Sequence, residues 1–224
     1  MSSDRSRVSR GTPPAPSAAR RLFSAERLPV AEAYAEWLAG PGTVRGVIGP
    51  REVPRLWERH LLNCAVLAEA VPADATVCDV GTGAGLPGVI LAIARPDVRV
   101  TLVEPLLRRT TFLTEVVTAL GLESVEVVRG RASDLHGQRR FDVVTSRAVA
   151  PLERLLRWCM PLVAPRGVMV ALKGASLDEE LVAARSVLAG YGCAVPERLS
   201  LGEGVVDPPA LAVRVAWAGP NAVG

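Results

Sequence analysis

The residues with the clearest chemical content run Cys78-Asp79-Val80-Gly81-Thr82-Gly83-Ala84-Gly85-Leu86-Pro87-Gly88. Glycines directly after a strand let the backbone turn tightly and approach a ligand, and the helix beyond them presents free N–H groups. A nucleotide-like ligand is implied. The second half, Gly83 to Gly88, also fits the dinucleotide pattern GxGxxG, and Glu104 sits about where a ribose-binding acid belongs. Pattern alone leaves two cofactors open.

The spacing Asp79-x-Gly81-x-Gly83-x-Gly85 resembles motif I of class I methyltransferases, which use S-adenosylmethionine. Glu104 at the end of the next strand would accept hydrogen bonds from both ribose hydroxyls, which suits the adenosine of either cofactor. A dehydrogenase also needs a proton donor or base. The Tyr-x-x-x-Lys pair cannot be formed here, because Lys173 is the sole lysine and the tyrosines are Tyr34 and Tyr191. No stretch remains for a separate substrate domain. Methyl transfer is therefore the expected chemistry, with a nicotinamide-dependent reductase and a non-enzymatic RNA-binding module as the rivals.

The segment at the end of the fourth strand narrows the acceptor. Amino-group methylation of bases is associated with Asn/Asp-Pro-Pro-Tyr/Phe there, whereas this chain reads Phe141-Asp142-Val143-Val144-Thr145-Ser146-Arg147-Ala148-Val149-Ala150. Carbon-5 methylation of pyrimidines needs a cysteine nucleophile, but Cys78 falls within the first strand and Cys159 within a helical pattern, so covalent catalysis is disfavoured. An acceptor already nucleophilic in its neutral form remains. Guanine N7 is such an atom, because its in-plane lone pair carries no proton and positioning can suffice.

These residues need a scaffold. From Thr76 onward short apolar strands alternate with helices: strands at Thr76–Val80, Val98–Val103, Val125–Val128, Phe141–Thr145 and Val168–Leu172, with helices at Leu86–Ala94, Leu106–Leu120, near Leu152–Leu162 and near Leu177–Leu188. Two late strands, about Cys193–Leu201 and Leu211–Trp217, are joined by a Gly/Pro-rich stretch without a helix. The pattern predicts a Rossmann-like α/β fold, a mostly parallel seven-stranded sheet closed by an antiparallel C-terminal hairpin. Residues 28–72 read as an N-terminal helical extension, residues 73–224 as the methyltransferase domain, and residues 1–27, rich in Arg, Pro and Ser, as a disordered tail.

Charge is distributed unevenly along this scaffold. The 224 residues carry a formal net charge of +3, with 26 basic and 23 acidic side chains. The tail's six arginines against Asp4 and Glu26 account for +4, leaving −1 for the rest. Any polyanion site on the body must come from local clustering of arginines. Two histidines and four cysteines without a CxxC pair predict no metal site. No apolar run approaches a membrane span, so a cytoplasmic protein is expected.

Several stretches together are similar to one family. Leu56-Trp57-Glu58-Arg59-His60-Leu61-Leu62, Gly81 through Gly88, Arg108-Arg109 with Phe112-Leu113, Ser146-Arg147-Ala148 and Leu172-Lys173-Gly174 resemble the small-subunit ribosomal RNA methyltransferase G family, also called glucose-inhibited division protein B. The likeness runs from about residue 45 to about residue 175. It implies transfer of a methyl group from S-adenosylmethionine to guanine N7 in helix 18 of 16S rRNA, with the RNA taken naked or within the small ribosomal subunit. Carried over residue by residue, it implies a cofactor site of Asp79, Gly81, Gly83, Gly85, Leu86, Glu104, Ala132, Ser133 and Arg147. Arg147 and Lys173 are the expected catalytic pair at the mouth of the sheet. The expected RNA contacts are Arg55, Arg59, His60, Arg108, Arg109, Arg131 and Lys173. Arg55 and Arg59 are expected to stack on one helical face. Asn63-Cys64 stands where many members read Asp-Ser.

Overall fold

A computed structural model describes residues 11–147 and 149–219. One seven-stranded sheet runs in the order β3-β2-β1-β4-β5-β7-β6. Its strands are β1 (Thr76–Val80), β2 (Arg99–Glu104), β3 (Val125–Arg129), β4 (Phe141–Arg147), β5 (Val163–Leu172), β6 (Glu197–Leu201) and β7 (Ala210–Ala216). β1 to β5 are parallel, whereas β7 is antiparallel to β5 and β6 to β7, forming the closing hairpin. The central strands β1 and β4 are buried at most positions, polar residues such as Asp79, Thr145 and Ser146 included, because both faces are covered. Val77, Val143 and Ala212 pack into one buried cluster while their neighbours Cys78, Val144 and Val213 pack into the other. That alternation is the period of two of an extended chain.

The helices after the strands are α4 (Gly88–Ala94), α5 (Leu107–Ala119), α6 (Leu152–Cys159), α7 (Leu177–Ala183) and α8 (Arg185–Gly190). Before the sheet lie α1 (Ala19–Leu22), α2 (Leu28–Trp37) and the short α3 (Asn63–Ala65). The one helix expected near 177–188 is divided around Ala184. β6 begins at Glu197 rather than near Cys193, and Cys193 makes only an isolated bridge to Trp217. Pro196, which has no N–H to give a ladder, precedes the strand's start.

Two expectations for the N-terminal region require correction. A disordered tail cannot extend to residue 27, because Ala19 and Phe23 are buried in the same core cluster as Val77 and Ile90. The Trp57 indole N–H donates to Pro13 O at 2.9 Å, the Arg27 Nε–H donates to Ile93 O at 3.0 Å, and Arg21 donates to Gly204 O. Apolar residues spaced among the arginines and prolines give this segment a face to bury. The disorder expected for residues 1–10 lies outside the described residues.

The second correction concerns Arg55 and Arg59. The chain from Pro50 is a 3₁₀ turn to Arg55, then a π-helix from Leu56 to Leu62, then α3, then another 3₁₀ turn over Val66–Ala70. Pro54 removes a helical donor at the first junction, and a π-helix aligns residues five apart rather than four. The two arginines are therefore not stacked on one α-helical face, although both are exposed.

Candidate functional site

In this strand order the direction of winding reverses between β1 and β4, and ligands in such sheets bind beyond the carboxyl ends of the strands at that reversal. Asp79 pairs with Thr145 across β1 and β4, so two residues further along their strands' directions lie Gly81 and Arg147. Arg147 in turn pairs with Leu172 of β5, immediately before Lys173. The pairing register alone gathers the glycine loop, Arg147 and Lys173 at one edge.

The loop is held from below. Asp79 is fully buried, and its Oδ2 accepts from the Thr82 hydroxyl at 2.6 Å and from the Gly88 N–H at 2.8 Å. Its Oδ1 is buried with no hydrogen-bond partner. Burial pushes the Asp79 carboxyl up to about 6, and the Thr82 and Gly88 hydrogen bonds oppose the rise. Gly81, Gly83 and Gly85 all have positive φ, +70°, +60° and +99°. Their reasons differ. A Cβ on Gly81 would come within 3.0 Å of the Val149 methyls at the cavity wall, whereas a Cβ on Gly85 would meet Val89 at 2.6 Å and the Tyr34 hydroxyl at 2.7 Å, inside the core. Tyr34, from α2, donates its hydroxyl hydrogen to Ala84 O at 2.7 Å and ties the extension to the loop. Gly85 and the buried Leu86 thus shape the loop through packing, and Asp79 through hydrogen bonds.

Glu104, only 2% exposed, ends β2 beside the loop. Its Oε2 accepts from Gly83 N–H at 3.1 Å and from Arg109 Nη1 at 3.4 Å, and its Oε1 accepts from Leu106 N–H at 3.0 Å. A carboxylate offers about four acceptor positions, so one remains for a hydroxyl and a second opens if Arg109 swings away. Arg109 is thereby an ion-pair partner rather than an open RNA contact.

A cavity of about 330 Å³ opens next to this carboxylate, lined by Gly81, Val103, Pro105, Arg131, Ala132, Ser133, Val149 and Trp158 among others. Largely apolar walls, with a glycine turn in the lining and Glu104 placed between the lining residues Val103 and Pro105, suit an adenosine. The free acceptor position on Glu104, beside the glycine loop that Asp79 supports from below, fits the ribose hydroxyls of S-adenosylmethionine. Trp158 and Pro105 are additions to the expected lining. Pro105 directly follows Glu104 and is legible from that position, while Trp158 sits in a helix whose spacing carries no such sign.

A second cleft of about 780 Å³ lies past Val149, which lines both spaces. Arg59, His60, Asn63, Arg147, Lys173 and Glu180 contribute its polar wall. Arg147 Nη2 donates to His60 Nδ1 at 2.9 Å, and His60 Nε2 bonds Glu52 Oε2 at 2.6 Å. Both ring nitrogens of His60 are used inside the protein, so the expected RNA contact through its ring is not open. Lys173 also departs from expectation. Its side chain is 7% exposed, and its Nζ pairs with Glu180 Oε2 at 2.5 Å and donates to Ala150 O at 3.3 Å. Glu180 also accepts from Leu152 N–H at 2.7 Å and the Ser176 hydroxyl at 3.1 Å. Burial would raise this carboxyl, but Lys173 and the Leu152 N–H hold it below the usual carboxylate range. Of the expected basic rim, Arg59 and Arg147 line the cleft and Arg131 lines the smaller cavity, whereas the exposed Arg55 and Arg108 line neither.

Cys64, Cys78 and Cys159 are buried thiols, and burial pushes Cys64 up to about 11 and Cys78 and Cys159 well above their ordinary value. None is a ready nucleophile. Among the described residues no group of three or more His, Cys, Asp and Glu could hold a metal ion, and no helix is long and apolar enough to cross a membrane.

Fold and site together define a class I methyltransferase that uses S-adenosylmethionine. Solved structures share the fold at low identity: a ribosomal protein L11 methylase from Lactobacillus delbrueckii (TM-score 0.54, 16% identity, 70% of this chain and 76% of that one) and the Bacillus subtilis m1A22 tRNA methyltransferase TrmK (TM-score 0.53, 17% identity, 72% and 66%). The sequence pattern of GidB, rRNA small subunit methyltransferase G, matches residues 27–197, and the chain belongs to that family. The ribosomal RNA small subunit methyltransferase G of a Nocardioides species is 65% identical over 216 residues, 96% of this chain and 86% of that protein. Its counterpart in Streptomyces avermitilis is 58% identical over 204 residues, 91% and 85%. The chain is an S-adenosylmethionine-dependent methyltransferase of 16S rRNA.

Proposed function

We propose that the atom methylated is guanine N7 in helix 18 of 16S rRNA, in the cytoplasm, and that the base enters the larger cleft while the adenosine occupies the smaller cavity. The observation that carries this reading is the shared wall at Val149: the two spaces abut where Gly81 and Arg147 converge. S-adenosylmethionine, when bound, supplies an electrophilic methyl group on a positively charged sulfonium.

The chain's own residues are left with positioning. Gly81, Gly83, Glu104, Ala132 and Ser133 hold the adenosine, and Asp79, Gly85 and Leu86 hold the loop. Glu180, the carboxylate lining the cleft, is committed to Lys173, Leu152 N–H and Ser176 and is not a free general base. An acceptor nitrogen with no proton to lose fits that arrangement. Arg59 favours the phosphates that flank the base, Arg147 fixes the orientation of the bound RNA at the mouth of the cleft, and the guanine must leave its stack to reach the cleft. Lys173 acts by holding the Ala150 backbone and Glu180 rather than by touching RNA.

The test is radiolabelled methyl transfer to small-subunit RNA lacking the modification, presented naked and as assembled subunits in parallel, with the product mapped by aniline cleavage. Cleavage at a helix 18 guanine is expected. Label at another atom or another helix overturns the assignment.

A further inference from the structure

Arg147 could reach the cleft in many rotamers, yet it is held by a chain of contacts that begins outside the methyltransferase sheet. Glu52 lies in the 3₁₀ turn Pro50–Arg55, His60 in the π-helix Leu56–Leu62, and Arg147 at the end of β4. The contacts are Glu52 Oε2 to His60 Nε2 at 2.6 Å, His60 Nδ1 to Arg147 Nη2 at 2.9 Å, and Arg147 Nη1 to Arg59 O at 3.4 Å. A guanidinium only donates, so Nδ1 must present a lone pair and the ring proton must lie on Nε2, facing the Glu52 carboxylate. The carboxylate sets the tautomer, and the tautomer sets the arginine.

We propose that Glu52 and His60 are positioning residues for methyl transfer: Glu52 fixes His60 as the neutral Nε2–H tautomer, and His60 fixes the Arg147 guanidinium at the mouth of the cleft. The inference rests on the reading of Arg147 as an acceptor-side residue. It differs from the expectation that His60 meets RNA, because neither ring nitrogen is open to a ligand.

A pH dependence arises from the same geometry. The charged groups facing the ring are Glu52 from the 3₁₀ turn, Arg59 from its own helix and Arg147 from β4. Burial lowers the pKa of His60, Glu52 raises it, and the two arginines lower it further, with the net shift downward from 6.5. A second ring proton would remove the Nδ1 acceptor and set a cation against Arg147. Turnover should therefore be full while the ring is neutral and fall on the acid side, below the ordinary histidine range. Without the carboxylate that favours the charged ring, the fall should move to still lower pH.

The experiment measures kcat, and KM for S-adenosylmethionine and for rRNA, between pH 5 and 8.5 in wild type, Glu52→Ala, Glu52→Gln, His60→Ala and Arg147→Ala. Glu52→Ala should lower kcat roughly tenfold through misplacement of Arg147, with both KM values unchanged. Glu52→Gln keeps an acceptor for Nε2–H and should restore most of the kcat, with the acid limb displaced to lower pH. Nitrogen-15 NMR of labelled wild-type protein provides a reading that needs no variant, and it should show His60 protonated on Nε2 and bare on Nδ1. An Nδ1–H tautomer overturns the proposal. So does an unchanged kcat and pH profile in Glu52→Ala, or a His60→Ala effect confined to the KM for rRNA. If Arg147→Ala is inactive while Glu52→Ala behaves as wild type, the relay alone fails. If Arg147→Ala turns over normally, the role given to Arg147 fails with it.

Discussion

The two compartments of the crevice are built differently. On the cofactor side, the contacts run between residues close in sequence: Asp79 to Gly88 spans 9 positions and Gly83 to Glu104 spans 21. Most involve backbone N–H groups, and they leave the cavity walls apolar. On the acceptor side, polar and charged side chains are tied to one another, some across long separations, with His60 and Arg147 87 positions apart. One compartment is a turn with an acid beside it. The other is a set of side-chain hydrogen bonds and ion pairs, and its Glu52–His60–Arg147 part exists only once the extension has packed on the sheet.

This contrast predicts that a lost charge partner should damage the acceptor side most. Lys173→Ala leaves Glu180 largely buried beside Leu152 with its cation removed, and we expect a stability loss of about 2–4 kcal/mol, near the range for breaking a buried pair and reduced for partial exposure. Chemical denaturation measures it. A fall in turnover at unchanged stability would instead make Lys173 a reaction-side cation and erase the distinction.

The next effect belongs to Asp79. Its native carboxyl, at about 6, lies above the ordinary 3.8, so between those values the folded protein binds more protons than the unfolded chain. By linkage, this group's contribution to stability is fully present below about pH 4 and is lost as pH rises through about 6, by on the order of 3 kcal/mol. Asp79→Asn keeps an acceptor for Thr82 and Gly88 and should abolish that slope. Denaturation midpoints of the two proteins from pH 4 to 7 should converge at the acid end. Parallel curves would locate the strained charge elsewhere.

Glu104→Ala should weaken S-adenosylmethionine binding by about 1.5–3 kcal/mol, the range for hydrogen bonds to a charged group, while rRNA affinity is retained. Calorimetry with cofactor and filter binding with RNA separate the two. Loss of both would mean that the compartments are not independent. The smallest effect is expected at the contact joining them through the extension. Tyr34→Phe removes the hydrogen bond to Ala84 O and should cost about 1 kcal/mol in unfolding free energy.

The same contrast explains how much is legible in the sequence. The glycine loop, Glu104 and the strand-helix alternation are local in sequence, so spacing exposes them along with the sheet and its terminal hairpin. Lys173 stands out because it is alone among arginines, yet nothing near it in sequence announces Glu180. His60 is conspicuous without Glu52, because a ring's hydrogen-bond partners depend on where a 3₁₀ turn gives way to a π-helix. Gly85 fits the motif for one reason and is required for another: a Cβ there would press to 2.6 Å from a Val89 methyl and 2.7 Å from the Tyr34 hydroxyl.

Ala19 and Phe23 share a buried cluster with Leu56, Leu61, Val77 and Ile90. A boundary near residue 72 is therefore a convenience of description and not a seam. The chain between α1 and β1 works as a keystone. Cutting there would bare one face of the sheet to water and release the groups that hold Arg147, so the smallest piece able to fold and to methylate must begin well before the glycine loop, ahead of α1.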